Sequence, residues 1–107
     1  MDETEMNINW ETLERLWESE RMRNLRITRP RSALLVLQIA MAGLRNRVPD
    51  GGIIRDITVR VPIGDLVPAG KTRTNAVSAL NRARATGIIS WETRYNGNGC
   101  VYTVHVG

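Results

Sequence analysis

The sequence predicts an α+β domain, mainly helical, and three observations carry that prediction. Apolar residues recur at spacings of three and four over most of the chain, and after Gly87 the period changes to two. Between Pro62 and Ile89, PIGDLVPAGKTRTNAVSALNRARATGII reads as a short helix (about 63–67), a tight turn (68–71) and a longer helix (about 73–86). Near the end, Asn96-Gly97 and Asn98-Gly99 stand between two alternating segments, which marks a hairpin. The expected architecture is a three-helix core with a short strand and a C-terminal β-hairpin, preceded by an extra N-terminal helix. Residues 1–29 form an acidic helix and a basic linker; residues 30–107 form the domain.

A chain of 107 residues fits one domain, and one of that size buries roughly two-thirds of its unfolded surface, so neither disulfide nor metal is required. The single cysteine, Cys100, cannot form an internal bridge, and nothing points to an oxidising compartment. The acidic start argues against signal and transit peptides. The longest apolar run, residues 33–44 broken by Gln38, is shorter than the roughly 20 residues a bilayer needs. A soluble cytoplasmic protein without a membrane partner is expected.

The net charge of +4 is unevenly spread. Residues 1–20 hold seven acids and one base, a net −6; residues 21–107 hold fourteen bases and four acids, a net +10. A basic body suits a polyanionic partner.

In chain order, Asn9 is placed to cap a helix over residues 10–23. Trp10, Leu13, Leu16 and Trp17 share one stripe of it, with Glu11, Glu14, Arg15, Glu18 and Arg21 around them. Two tryptophans there must be covered. They either pack on the chain's own core or meet the same helix of a second copy in a homodimer. A third arrangement lays the acidic face over the basic surface, in competition with a polyanion. Residues 22–31, rich in arginine, read as a solvated linker or as an arm that reaches phosphates. Thr28 and Pro30 announce the next helix. That helix, about 31–45, is apolar on most sides and belongs at the centre of the fold. Residues 49–52 (PDGG) are a turn by composition, and 57–61 alternates as a short strand that Pro62 ends.

The helix over 73–86 starts after Thr72, whose side chain suits a cap, and stops at Gly87, where a left-handed residue is needed. Ala76, Val77, Ala79, Leu80 and Ala83 form its inward face. Arg73, Thr74, Asn75, Ser78, Asn81 and Arg82 face outward, and each can donate hydrogen bonds. Two helices, a glycine-bearing turn and a polar outer face describe a helix-turn-helix. Beyond Gly87, Ile89, Trp91 and Thr93 take one strand face, with Ile88, Ser90, Glu92 and Arg94 opposite. On the return strand Cys100, Tyr102, Val104 and Val106 take one face, with Val101, Thr103 and His105 opposite. A turn at Asn96-Gly97 pairs Thr93 with Cys100, Trp91 with Tyr102 and Ile89 with Val104. A turn at Asn98-Gly99 shifts these pairs by two and keeps every face.

From residue 30 to 106, the order helix, strand, helix, turn, helix, hairpin resembles the winged helix-turn-helix family of DNA-binding domains. The resemblance rests on TRTNAVSALNRARATGII and the following hairpin with NGNG at its tip: Thr72 opens the helix, Ala79-Leu80 sits mid-helix, and Gly87-Ile88-Ile89 follows. Ala83 departs from the leucine the family usually carries. The resemblance implies that the helix over 73–86 lies in the major groove of double-stranded DNA and the hairpin tip touches backbone or minor groove. Arg73 would then read guanine and Asn75 adenine. Ser78 and Arg82 lie on the same face. Lys71 and Thr72 suit a phosphate, and Arg94, Asn96 and Asn98 suit phosphates or the minor groove. The expected function is that of a small, sequence-specific transcriptional regulator associated with the nucleoid; such a compact regulator suits a phage or other mobile element. The competing expectation is a protein-interaction module or inhibitor that uses the tryptophan-bearing helix.

Enzyme chemistry finds little to work with. His105 is the only histidine, Cys100 has no nearby histidine, and no Cys/His spacing suggests zinc. AGKT at 69–72 lacks the leading glycine of a phosphate loop. No cofactor or small-molecule pocket is indicated.

Overall fold

The computed structural model describes residues 3–45, 54–61, 73–93 and 100–106. Their elements run α1 (Glu3–Glu18), α2 (Glu20–Thr28), α3 (Pro30–Arg45), β1 (Asp56–Val61), α4 (Arg73–Ala85), β2 (Ile89–Thr93) and β3 (Cys100–His105). The α+β, mainly helical class is thus observed. The short helix and turn expected over 63–71, the turn over 49–52 and the hairpin tip over 94–99 lie outside the described residues.

The expected single helix over 10–23 is two helices, and the first starts at Glu3, so Asn9 lies within it rather than capping it. Ser19 breaks it with an extended backbone (φ −62, ψ 150), and its Oγ accepts from the Met22 amide. The same hydroxyl donates to the Leu16 carbonyl at 2.7 Å. A serine bonded to its own backbone at both sides ends one helix and caps the next.

The linker expected over 22–31 is largely α2. Met22 and Leu25, three apart, are 0% and 1% exposed, while Arg21, Arg23 and Arg29 face solvent. Two buried side chains suffice to hold a helix whose other residues are mostly polar. Thr28 does not cap α3: its hydroxyl donates back to the Asn24 carbonyl at 2.7 Å. Arg29 is the joint instead. Its amide donates to Leu25 O and its carbonyl accepts from the Ala33 amide. The following proline keeps Arg29 out of the helical region and then opens α3.

α3 is the centre, as its composition predicts. Ser32, Ala33, Leu35, Val36, Ile39, Ala40, Gly43 and Leu44 are buried. At Gly43 the helix meets β1 so closely that a Cβ would run into Ile57 Cγ2. Against another side, α4 lays Ala76, Ala79, Leu80 and Ala83. The buried Ser32 hydroxyl donates to the Ala79 carbonyl at 2.7 Å and pins the two helices together. Ala83 is fully buried, so the core closes over the position without a larger side chain. Val77, expected inward, is 40% exposed. It sits one residue, about 100°, off the narrow alanine stripe.

Gly87 ends α4 with φ 81, the left-handed conformation the sequence predicts. The Arg21 guanidinium donates to its carbonyl at 3.1 Å and so ties α2 to this corner.

The sheet is antiparallel in the order β1-β3-β2. β2 and β3 pair Ile89 with Val104, Trp91 with Tyr102 and Thr93 with Cys100. Of the two registers the sequence allows, this is the one centred on Asn96-Gly97. β1 pairs Ile57 with Val104 and Val59 with Tyr102. Ile57, Val59, Val61, Ile89, Tyr102 and Val104 form the inner face. Ile88, expected on the outer face, is 1% exposed. It lies in the bend before β2 rather than in the strand, so strand alternation does not govern it.

Candidate nucleic-acid interface

α4 owes its two faces to residue size and polarity. Alanines at 76, 79 and 83 let its backbone approach α3, and Asn75, Ser78, Asn81 and Arg82 are left exposed. Packing and the Ser32 bond hold the helix fixed while its outer face stays in water. Arg73 and Thr74 stand in its first turn; their side chains lie outside the described residues, as do Lys71, Thr72, Arg94, Asn96 and Asn98.

The structure adds neighbours to this face. Asn75, Ser78 and Arg82 line one groove with Thr28, Arg29, Pro30, Arg31 and Ser32. The corner between α2 and α3 therefore runs beside α4, and Arg29 and Arg31, far off in sequence, join Arg82. All three arginines are exposed, and the lining includes no carboxylate. Three exposed guanidiniums beside Ser78 and Asn75 are chemistry that suits an anion, since guanidinium pairs well with phosphate; the Thr28 and Ser32 hydroxyls are already donating to the Asn24 and Ala79 carbonyls. Sequence pattern offers Arg29 and Arg31 as part of a solvated linker or of an arm that reaches phosphates, without placing them beside α4. The proline that sets the angle between α2 and α3 is what aims them.

The tryptophan face of α1 is partly absorbed by the fold. Leu16 is fully buried in the chain's own core, so it cannot serve as a contact to a second copy. Leu13 and Trp17 pack half-buried against that core, and Trp10 is 65% exposed. Arg26 lies over the Trp17 ring, its Cζ 4.7 Å from the centroid, a cation–π contact. The acidic helix packs against α2 and α3.

A third cluster escapes sequence reading. On the outer face of the sheet, His105 Nδ1 lies 2.8 Å from Asp56 Oδ1, and its Nε2 lies 3.2 Å from Ser90 Oγ. The chain Asp56–His105–Ser90 crosses all three strands. The order matches a hydroxyl activated by a carboxylate-oriented imidazole. The His105 and Asp56 side chains are 38% and 59% exposed, so water reaches both, and the two contacts link the three strands on this face. Only the β1–β3 register, which sets Asp56 opposite His105, reveals it.

Among the described residues, no three His, Cys, Asp or Glu side chains stand together as metal donors. No described helix is long and apolar enough to cross a membrane. Compared with protein-family models, with curated proteins and with solved structures, the chain matches none.

Proposed function

We propose that the chain is a winged helix-turn-helix protein that binds double-stranded DNA through α4 and regulates transcription from the nucleoid. The observation that carries this reading is the groove in which Asn75, Ser78 and Arg82 stand beside Arg29 and Arg31 without a carboxylate. A helix of 13 residues is about 20 Å long, enough to follow the major groove across several base pairs. The exposed Asn75 and Ser78 suit base edges, Asn75 pairing with adenine and Ser78 with either base, and Arg73, by its place in the first turn, would pair with guanine. Arg29, Arg31 and Arg82 take phosphates on the flanks, with Lys71 and Thr72 at the start of α4 and Arg94, Asn96 and Asn98 at the wing. Phosphate contacts set affinity and orientation; the α4 donors set sequence preference.

The test is selection of bound sequences from a random duplex pool, with the chain and with Arg73→Ala/Asn75→Ala. A sharp consensus is expected, and the double substitution flattens it by about 1–3 kcal/mol for each lost bidentate pair. A double variant that selects the same consensus would remove α4 as the reader.

The exposed Trp10 favours a second use of the molecule, in which α1 meets another polypeptide, either a second copy in a homodimer or a different protein.

A further inference from the structure

We propose that the groove between α1 and α3 docks a helical segment of another protein that bears lysine or arginine beside apolar anchors. Trp10, Leu13 and Trp17 of α1 line the groove with Leu37 and Met41 of α3, and Glu14 and Glu18 complete the lining. Trp10 and Met41 are 65% and 43% exposed. Contiguous apolar surface with a polar rim is what a partner's anchors fill.

The occupant is chosen by shape and by charge. Trp10, Leu13 and Trp17 follow one another at i, i+3 and i+7, and Leu37 and Met41 at i and i+4. A trough between two such helices accepts a third whose own anchors repeat at three and four. The charged side chains in the lining, Glu14 and Glu18, are both acidic, and Glu11 is exposed on the same edge of α1; Arg45, one turn past Met41, is the exposed base at the end of the α3 side. Arg15, the base beside these acids on α1, is engaged elsewhere, donating to the Ile54 carbonyl at 2.7 Å. Arg26 is laid flat on Trp17. A nucleic acid is repelled by this rim. A second copy in isologous contact brings two acidic α1 edges into one interface as water leaves, which raises the cost of pairing. A basic helix meets the rim with opposite charge. Residues 21–107 carry a net +10 and residues 1–20 a net −6, so the Trp10→Ala/Met41→Ala variant, which keeps every charge, separates groove binding from mere attraction to α1. The proposal does not rest on DNA binding.

The experiment is selection from a displayed library of helical peptides with randomised surfaces, using the full chain as target. Enriched peptides are expected to carry apolar residues at i, i+3 or i+4, and i+7, flanked by Lys or Arg. They are expected to bind Glu14→Lys/Glu18→Lys about tenfold or more weakly, and to lose Trp10→Ala/Met41→Ala as well. Glu14 and Glu18 are exposed, so thermal melting of the charge-reversed variant should match the parent; the Trp10→Ala/Met41→Ala variant is assayed well below its own melting midpoint, since Met41 is 43% exposed and its truncation removes some packing. Failure to enrich any peptide, enrichment without basic residues, or equal binding to the charge-reversed variant overturns the proposal. So does sedimentation of the parent as a dimer that Trp10→Ala converts to monomer, since the face then belongs to a second copy.

Discussion

Removing Arg29, Arg31 and Arg82 together tests the groove on which the DNA reading stands. The three side chains are exposed and line one groove; Arg29 serves the α2–α3 joint through its backbone, which alanine retains. If each neutralises one phosphate, each contributes about 0.9 to the slope of log affinity against log salt, so the triple alanine variant lowers the slope by about 2.7. Between about 50 and 200 mM salt, that share corresponds to a loss of about fortyfold in the parent that the variant no longer shows. The assay is fluorescence anisotropy of a labelled random duplex over that salt range. The control removes the same charge elsewhere: Arg45, Arg55 and Arg60 are exposed at the far end of α3 and around β1, and their replacement should change the slope little. Equal slopes for the groove variant and the parent would refute the assignment of this surface to phosphate. Equal drops in both variants would reduce the interaction to net charge and remove the groove from the argument.

Other predictions concern the scaffold. Gly43→Ala places a methyl where Ile57 Cγ2 already lies; overpacking of this kind costs about 1–3 kcal/mol, read as a lower midpoint in urea. An unchanged midpoint would mean that α3 and β1 do not meet at Gly43. Leu25→Ala removes a side chain that is 1% exposed and should cost about 2–5 kcal/mol. A loss of only a few tenths would show that the segment before Pro30 lies outside the core.

Legibility in the sequence follows the range of the forces involved. The limits of α3 and α4 read correctly to within one residue, because a proline and a left-handed glycine act on their own turn of backbone. The faces of the hairpin read correctly for Ile89, Tyr102 and Val104, because strand side chains alternate whatever the register. Ser19 was legible in principle, being a capping residue between two amphipathic stretches. The continuous spacing of Leu13, Leu16 and Trp17 hid the break, and the density of arginines hid Met22 and Leu25.

Sequence alone determined the mainly helical α+β class, the apolar centre and the polar outer face of α4, all of which arise from periodicity and local backbone preference. Tertiary structure decided which of two hairpin registers forms, that Leu16 turns inward, and that Asp56 and Ser90 flank His105. It also decided that Arg29 and Arg31 stand beside Asn75 and Arg82. These depend on contacts between residues far apart, such as Arg21 with Gly87, 66 positions on. Such pairs come together only when burial of a shared core fixes the angles between elements, and no local pattern encodes those angles.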